Sequence, residues 1–440
     1  MAEELQSENY LAEVRNQYEH LPYPYRDPAQ EKDRLVKTVG DALPFLNHYA
    51  FGGRQQYDDF RVLVAGGGTG DATLFLAEQL KAFPKAKVVH LDMSTASIAV
   101  AKERAEMRGL SNIEFRHASL LDVTESDEEY DLINCSGVLH HLADPDAGLR
   151  ALKSVLKPEG VINLMVYGYY GRQMIYRMQE ILRDLNYDGA DIHTQIERAK
   201  MAFEAIKPTS WGPLAYQLMQ IETQHHGDHG LFDMFLHSQD RAYTMPQLYE
   251  FVENADLQII NWNNGNLPYS VWTQADWIAN PELRAHIAGM PERQRQAVTE
   301  KMLGNMMKHM CLIAHRTPET PSPEDAEMVP EFAYYMQGHI QKYANALTPL
   351  EDGKQVKTQI ASLEFNWIIT PFTRVLTQHI LTSPSIGDLL ETCYTLLWDE
   401  GVPGLTRSLM QQKWLEYYAQ WHQHQLLYLR HPSSPAITIR

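Results

Sequence analysis

Histidines and carboxylates at short spacing mark where this 440-residue chain could move a proton or hold an ion. His140 and His141 stand together just past an apolar run. Imidazole titrates near neutrality, so either could orient or deprotonate a substrate. The plainer alternative is that one packs beneath a helix opening at Asp144 while the other faces solvent. Asn134, a few residues earlier, could contact a ligand. A second cluster holds His225, His226, Asp228, His229, Asp233, His237 and Asp240. His229, Asp233 and His237 are four apart and would share one helix face. Histidine with carboxylate can ligate zinc or iron. No H-E-x-x-H or other metal signature is present, so no metal is assigned. A polar pocket wall, with His237 facing substrate, is the stronger reading, and a solvated helix the remaining one. Arg241 could hold an anionic group, with Tyr243 beside it. Near the start, Tyr18 to Asp27 carries three tyrosines, alternating prolines and Arg26. It reads either as a lid, with Tyr23 and Arg26 reaching a substrate, or as a docking strap.

These groups need a frame, and the run Val62 to Gly70 supplies its first corner. Val62, Leu63 and Val64 read as a short buried strand. Gly66, Gly68 and Gly70 follow, and Asp71 to Leu80 reads as a helix. Glycine permits the sharp turn and the close approach of a ligand that a Cβ would block. A nucleotide-like cofactor at the carboxyl end of a first parallel strand is the natural guest. The G-x-G-x-G spacing differs from the G-x-G-x-x-G of dinucleotide binders.

Strand patterns at Arg61–Ala65, Lys87–Leu91, Ile113–His117, Leu132–Cys135 and Val161–Tyr167 alternate with helical stretches at 71–82, 94–108 and 144–156. Such alternation predicts a parallel sheet covered by helices on both faces. Residues 169–244 break the pattern with long helical stretches. A helix from Met245, a strand at Leu257–Trp262, a further helical insert and a last strand at His309–Arg316 follow. Thr317 to Glu324 is a proline-rich linker by composition. The expected domains are a lid over 1–54, a catalytic domain over 55–316 with the insertion at 169–244, a linker at 317–327, and a mainly helical unit over 328–440. In that last unit, Phe332, Tyr334, Tyr335, Trp367, Trp414, Tyr417, Tyr418 and Trp421 recur at helical spacing, the pattern of a core or an interface.

Composition narrows the class. With 38 Lys and Arg against 56 Asp and Glu, the formal net charge is −18. That disfavours a protein whose affinity rests on phosphate contacts. Cys135, Cys311 and Cys393 are far apart and show no C-x-x-C spacing, which suits a reducing compartment. The polar, acidic start is no signal peptide, and no apolar run approaches a membrane span. A cytoplasmic setting is expected.

By residue 160 the chain resembles the class I S-adenosylmethionine-dependent methyltransferases. The turn Val62–Gly70 matches the family's V-L-D-x-G-C-G-T-G, with Val64 where the family has its acid. His90 to Ser94 matches the second-strand acid at Asp92. Tyr130 to Asp146 matches "F-D-x-V … V-L-H-H-L-x-D-P", and Leu152 to Gly160 matches "R-V-L-K-P-G-G". Where the family has G-D-A after its third strand, this chain has His117, Ala118 and Ser119. The likeness covers residues 55–167 closely and 245–316 loosely.

The resemblance implies an α/β fold: a doubly wound, mostly parallel sheet ending in an antiparallel hairpin, with a helical insertion and a helical C-terminal domain. It implies S-adenosylmethionine as cofactor, held by Gly66, Gly68, Gly70, Asp92, Met93, Ser119 and Asn134. A carboxylate such as Asp92 can accept hydrogen bonds from both ribose hydroxyls; otherwise it is a helix N-terminal charge, because Ser94 opens a helix. Ser119 could serve the adenine edge or be a loop hydroxyl. The expected activity is methyl transfer to a small metabolite, or alternatively to a protein side chain. A non-catalytic sensor or scaffold for the cofactor or its demethylated product is a third reading. A small-molecule or protein acceptor is thus the partner expected. A homodimer is compatible with the sequence; membrane and nucleic acid are not expected.

Overall fold

The computed structural model describes residues 12–206, 212–263, 277–360 and 363–439. The chain divides into two units. One holds Met1–Asp41, Asp58–Trp262 and Met290–Arg316; the other holds Ala42–Tyr57, Asn263–Gly289 and Thr317–Arg440.

The first unit is built on an eight-stranded sheet. Its strands are β1 (Arg61–Ala65), β2 (Lys87–Asp92), β3 (Ile113–His117), β4 (Tyr130–Ser136), β5 (Leu156–Gly168), β6 (Ala242–Tyr243), β7 (Gln258–Trp262) and β8 (Lys308–Ala314). The order is β3-β2-β1-β4-β5-β8-β7, with β6 beside the end of β5. The pairs from β3 to β5 are parallel, and β8 runs antiparallel to both β5 and β7. This is the parallel sheet that the strand–helix alternation predicts, with the antiparallel terminal hairpin that the family resemblance implies. The run Val62–Ala65 is buried throughout, as a parallel strand covered on both faces must be. β5 begins five residues earlier than expected. Its register on β4 shifts between Tyr130 and Leu132, so Lys157 to Gly160 are absorbed as an irregularity.

Local chemistry sets the helix ends. Gly70 (φ +101°) leads directly into the helix Asp71–Leu80. Ser94 caps the helix Thr95–Arg108 by accepting from the Ser97 amide, and Gly109 in the left-handed conformation ends it. Asp144 caps Pro145–Ser154. The insertion comprises Gln173–Leu185, Ile192–Ala205 and Gly212–Phe235. It has its own apolar core, with Ile175, Met178, Phe203, Leu231 and Phe235 at its centre.

The second unit carries helices at Leu43–Ala50, Pro281–Ala288, Gln337–Leu347, Pro371–His379, Ile386–Asp399 and Arg407–His422. Two antiparallel strand pairs, Gln355–Ile360 with Leu363–Ile368 and Val329–Phe332 with Leu427–Arg430, add sheet that helical spacing did not foretell. Trp367, Trp414, Tyr417, Tyr418 and Trp421 are buried together. Trp421 lies 4.9 Å from Trp367 and 5.1 Å from Phe332, centroid to centroid. Among the described residues no helix is long and apolar enough to cross a membrane.

Candidate active site

A cavity of about 540 Å³ opens at the carboxyl ends of β1, β4 and β5 in the first unit. Strand geometry explains its floor. Alternate residues of a strand face one side, and Val64 and Gly66, Asn134 and Ser136, then Asn163, Met165 and Tyr167 all line it. Register carries the face across the sheet, where Met165 pairs with Met310 and Tyr167 with Lys308, both lining residues.

One end is the glycine turn. Gly66 and Gly68 have φ of +76° and +52°, values that favour glycine. A Cβ on Gly68 would lie 2.7 Å from the Tyr23 carbonyl oxygen. Gly70 does not line the cavity; a Cβ there would press on Leu74 and Ala101, so its part is close helix packing. Asp92 is buried at the end of β2. Its Oδ2 accepts from the Gly68 amide at 2.7 Å and its Oδ1 from the Ser94 amide at 2.8 Å. Burial raises its pKa, and these amides pull it back. Asp92 therefore fastens the turn as well as facing the cavity. Met93, Ala118 and Ser119 line the wall beyond it. The Ser119 hydroxyl accepts from the Leu121 amide at 3.2 Å and caps a short helical turn. The glycine cradle, the buried carboxylate and the apolar wall beyond fit an adenosyl cofactor. Gly66 and Gly68 would admit its amino-acid end, and Asp92 would receive the ribose hydroxyls. Such a cofactor supplies an electrophilic methyl group.

The other end is polar and closed. Tyr18 donates to Asp233 Oδ1 at 2.9 Å and lies 3.4 Å from His237 Nε2. Burial raises the Asp233 pKa to about 7, with Tyr18 and Arg172 opposing and Glu222 and Asp240 adding to the rise. His141 Nδ1 donates to the Gln239 carbonyl at 2.9 Å, so Nε2 carries the lone pair. Burial lowers its pKa to about 4, and it stays neutral near pH 7. Arg172 donates to Asp240 at 2.9 Å and lies 3.5 Å over the Tyr167 ring. Glu222 and Lys308 also line this end, and burial disfavours the charge on each.

Of the residues chosen from sequence, Gly66, Gly68, Asp92, Met93, Ser119, Asn134, His141 and Tyr23 line the cavity. The others stand elsewhere. His140 is fully buried, 3.9 Å from the Tyr167 ring, and neither ring nitrogen has a hydrogen-bond partner. Burial holds it neutral, and its role is packing. His237 lies behind His141, stacked at 3.9 Å. Arg26 is drawn onto Asp71 by a two-pronged ion pair and does not line the cavity. Arg241 is exposed. Tyr243 is a strand residue whose carbonyl accepts from His309 at 2.9 Å.

The histidine-rich segment grips the N-terminal strap. His229 Nδ1 donates to the Pro22 carbonyl, and the rings of His226 and His229 pack on Tyr23 and Tyr25. Gly227 (φ 59°, ψ −145°) breaks the helix, and His237 lies beyond its end, so the fourfold spacing does not run along one continuous helix. Among the described residues, no group of three or more His, Cys, Asp or Glu is placed to hold a metal.

Sequence reasoning missed Tyr18, Asp41, Asn163, Tyr167, Arg172, Glu222 and Lys308. Asn163 carried one usable signal, a polar residue inside an otherwise apolar strand at period two with Met165 and Tyr167. Asp41 carried none.

Residues 57–231 match the family described as "Methyltransferase domain". An uncharacterized protein of Synechococcus is 34% identical over 261 residues, 56% of this chain and 58% of that protein. The tRNA 5-carboxymethoxyuridine methyltransferase of Escherichia coli K12 is 40% identical over 116 residues, 26% of this chain and 42% of that enzyme. The chain thus spans about half the length of these curated relatives. PKMT2 from Rickettsia typhi, solved in complex with AdoHcy, superposes with a TM-score of 0.63 at 13% identity, covering 90% of this chain and 76% of that one. That likeness is one of fold. With the glycine turn, the β2 carboxylate and a Rossmann-like sheet order in place, residues 57–231 are thus similar to a methyltransferase domain.

Proposed function

We propose that the protein transfers a methyl group from S-adenosylmethionine to a small acceptor enclosed in this cavity, with Asp233 taking the acceptor's proton. The observation that carries the reading is continuity: one cavity joins Gly66, Gly68 and Asp92 to Tyr18, His141 and Asp233. Its 540 Å³ falls within the ~300–1,000 Å³ of small-molecule clefts. Methyl transfer is an in-line displacement that requires alignment and exclusion of water. The strap closes one wall: Thr69 donates to the Pro24 carbonyl at 2.7 Å, and Ser94 to that of Tyr18 at 3.0 Å. A general base is useful when its pKa lies near the working pH. The Asp233 carboxylate meets that condition, and His141 Nε2 offers a second acceptor for orienting the nucleophile. The three cysteines are free and buried, which favours a cytoplasmic setting.

Calorimetric titration with S-adenosylmethionine, with NAD in parallel, tests the cofactor. Micromolar binding of the former alone is expected. Asp92→Ala should weaken it by about 10- to 100-fold, the loss of charge-assisted hydrogen bonds. Binding of NAD instead, or an unchanged affinity in the variant, would reject the assignment. Binding without turnover on any acceptor would favour a sensor.

A further inference from the structure

Asp41 is a buried carboxylate on the cavity floor, 3% exposed, contributed by the N-terminal segment rather than by the glycine-turn motif. Its Oδ1 accepts from Asn134 Nδ2 at 2.6 Å and from Asn163 Nδ2 at 2.7 Å. The two asparagines lie in one register row with Val64, since Val64 pairs with Asn134 and Asn134 with Asn163. In-register neighbours on parallel strands present side chains to the same face. Asp41 is therefore held over the row in which Val64 stands where related turns carry an acid. Burial pushes its carboxyl upward, and the groups opposing that are neutral hydrogen-bond donors, Thr38, Asn163 and Asn134. No lysine, arginine or histidine is among them. A carboxylate removed from water is stable when a cation pairs with it. Asp41 lines the cavity, so a cation bound there could reach it.

We propose that Asp41 replaces the acid missing at Val64 and receives the α-ammonium of the cofactor's methionine moiety. Asn134 and Asn163 act as positioning residues that aim the carboxylate. This rests on S-adenosylmethionine being the cofactor. It also explains why both asparagines sit in strands whose other buried residues are apolar. The ammonium is shared by S-adenosylmethionine and S-adenosylhomocysteine, so the stable product is a sufficient probe.

The test is calorimetry on the full chain with three ligands: S-adenosylhomocysteine, its analogue with hydrogen in place of the α-amino group, and 5′-methylthioadenosine, which lacks the amino-acid end. Asp41→Asn keeps an oxygen to accept from both asparagines and removes only the charge. The variant should bind S-adenosylhomocysteine at least about tenfold more weakly, as loss of a charge-assisted bond requires. It should bind methylthioadenosine as the wild type does. The wild type should prefer the amino-bearing ligand over the deaminated one, and the variant should lose that preference. Equal losses for all three ligands would make Asp41 merely structural and overturn the proposal, as would an unchanged affinity for S-adenosylhomocysteine. If the wild type binds none of the three, the cofactor assignment fails instead.

Discussion

Asp233 decides the most at the scale of single residues. Its buried carboxyl titrates near 7, bonded to Tyr18 and faced by Arg172, Glu222 and Asp240. Once an acceptor is identified, kcat should rise with pH through a midpoint near 7, as Asp233 ionises. Asp233→Asn should lower kcat by roughly 10²–10⁴-fold and flatten that limb, leaving cofactor affinity unchanged. An unaltered pH profile would remove Asp233 from proton transfer. The same shift bears on stability. The folded pKa of about 7 lies above the unfolded value near ~3.9, so the folded state holds the extra proton between them. Stability from this group is complete below pH ~4 and is lost as pH rises to ~7. Asp233→Asn should therefore be at least as stable as the wild type at pH 8, by thermal melting. Residue type alone does not place His140, which packs neutral against the Tyr167 ring and does not line the cavity.

Among the elements, the glycine turn and the strap that lies on it form one device. Gly68 has positive φ, and its missing Cβ leaves room for the Tyr23 carbonyl. Gly68→Ala should cost roughly 1–3 kcal/mol from backbone strain, and more if the strap is displaced. It should also weaken cofactor binding; a thermal melt paired with calorimetry reads both. Wild-type stability in the variant would mean the strap does not rest on the turn. The strap's other anchors are ionic. Arg104, fully buried, pairs with Glu31 and Asp71, and Asp71 in turn holds Arg26. Tyr18–Asp27 is held by backbone carbonyls and ion pairs while Tyr18, Tyr23 and Pro24 line the cavity.

At the scale of the whole molecule, the chain divides at more points than the one where its composition changes. The proline-rich stretch after Arg316 invites a cut, yet Ala42–Tyr57 belongs with Thr317–Arg440. In the helix Leu43–Ala50, the Phe45 ring lies 6.0 Å from that of Tyr428, centroid to centroid, and His48 Nδ1 lies 3.0 Å from the Leu429 amide. Truncation after Arg316 would remove these partners from Phe45, a side chain worth about 1.5–3 kcal/mol when buried. The truncated chain should aggregate or melt well below the full one, by size-exclusion chromatography and calorimetry. A monodisperse fragment of undiminished stability would show that Ala42–Tyr57 needs no cover.

What the sequence determined by itself is local. The strand periodicity, the glycine turn and the capping residues Ser94, Asp144 and Ser385 act over a few positions, and the observed ends of β1 and β3 are those the pattern predicts. That was enough for the sheet and for the cavity-lining residues Gly66, Gly68 and Asp92. Much of the rest of the cavity was not legible, because its contacts join residues far apart in sequence: Tyr18 with Asp233, 215 positions away, and Asp41 with Asn134, 93 away. Which carboxylates point into a cavity, and which are consumed by ion pairs as Asp71 is by Arg26, depends on where packed elements bring them. Periodicity fixes the face of an element on which a side chain lies; only tertiary packing fixes what that face meets, and so whether its charge is paired, neutralised by burial, or left for a ligand.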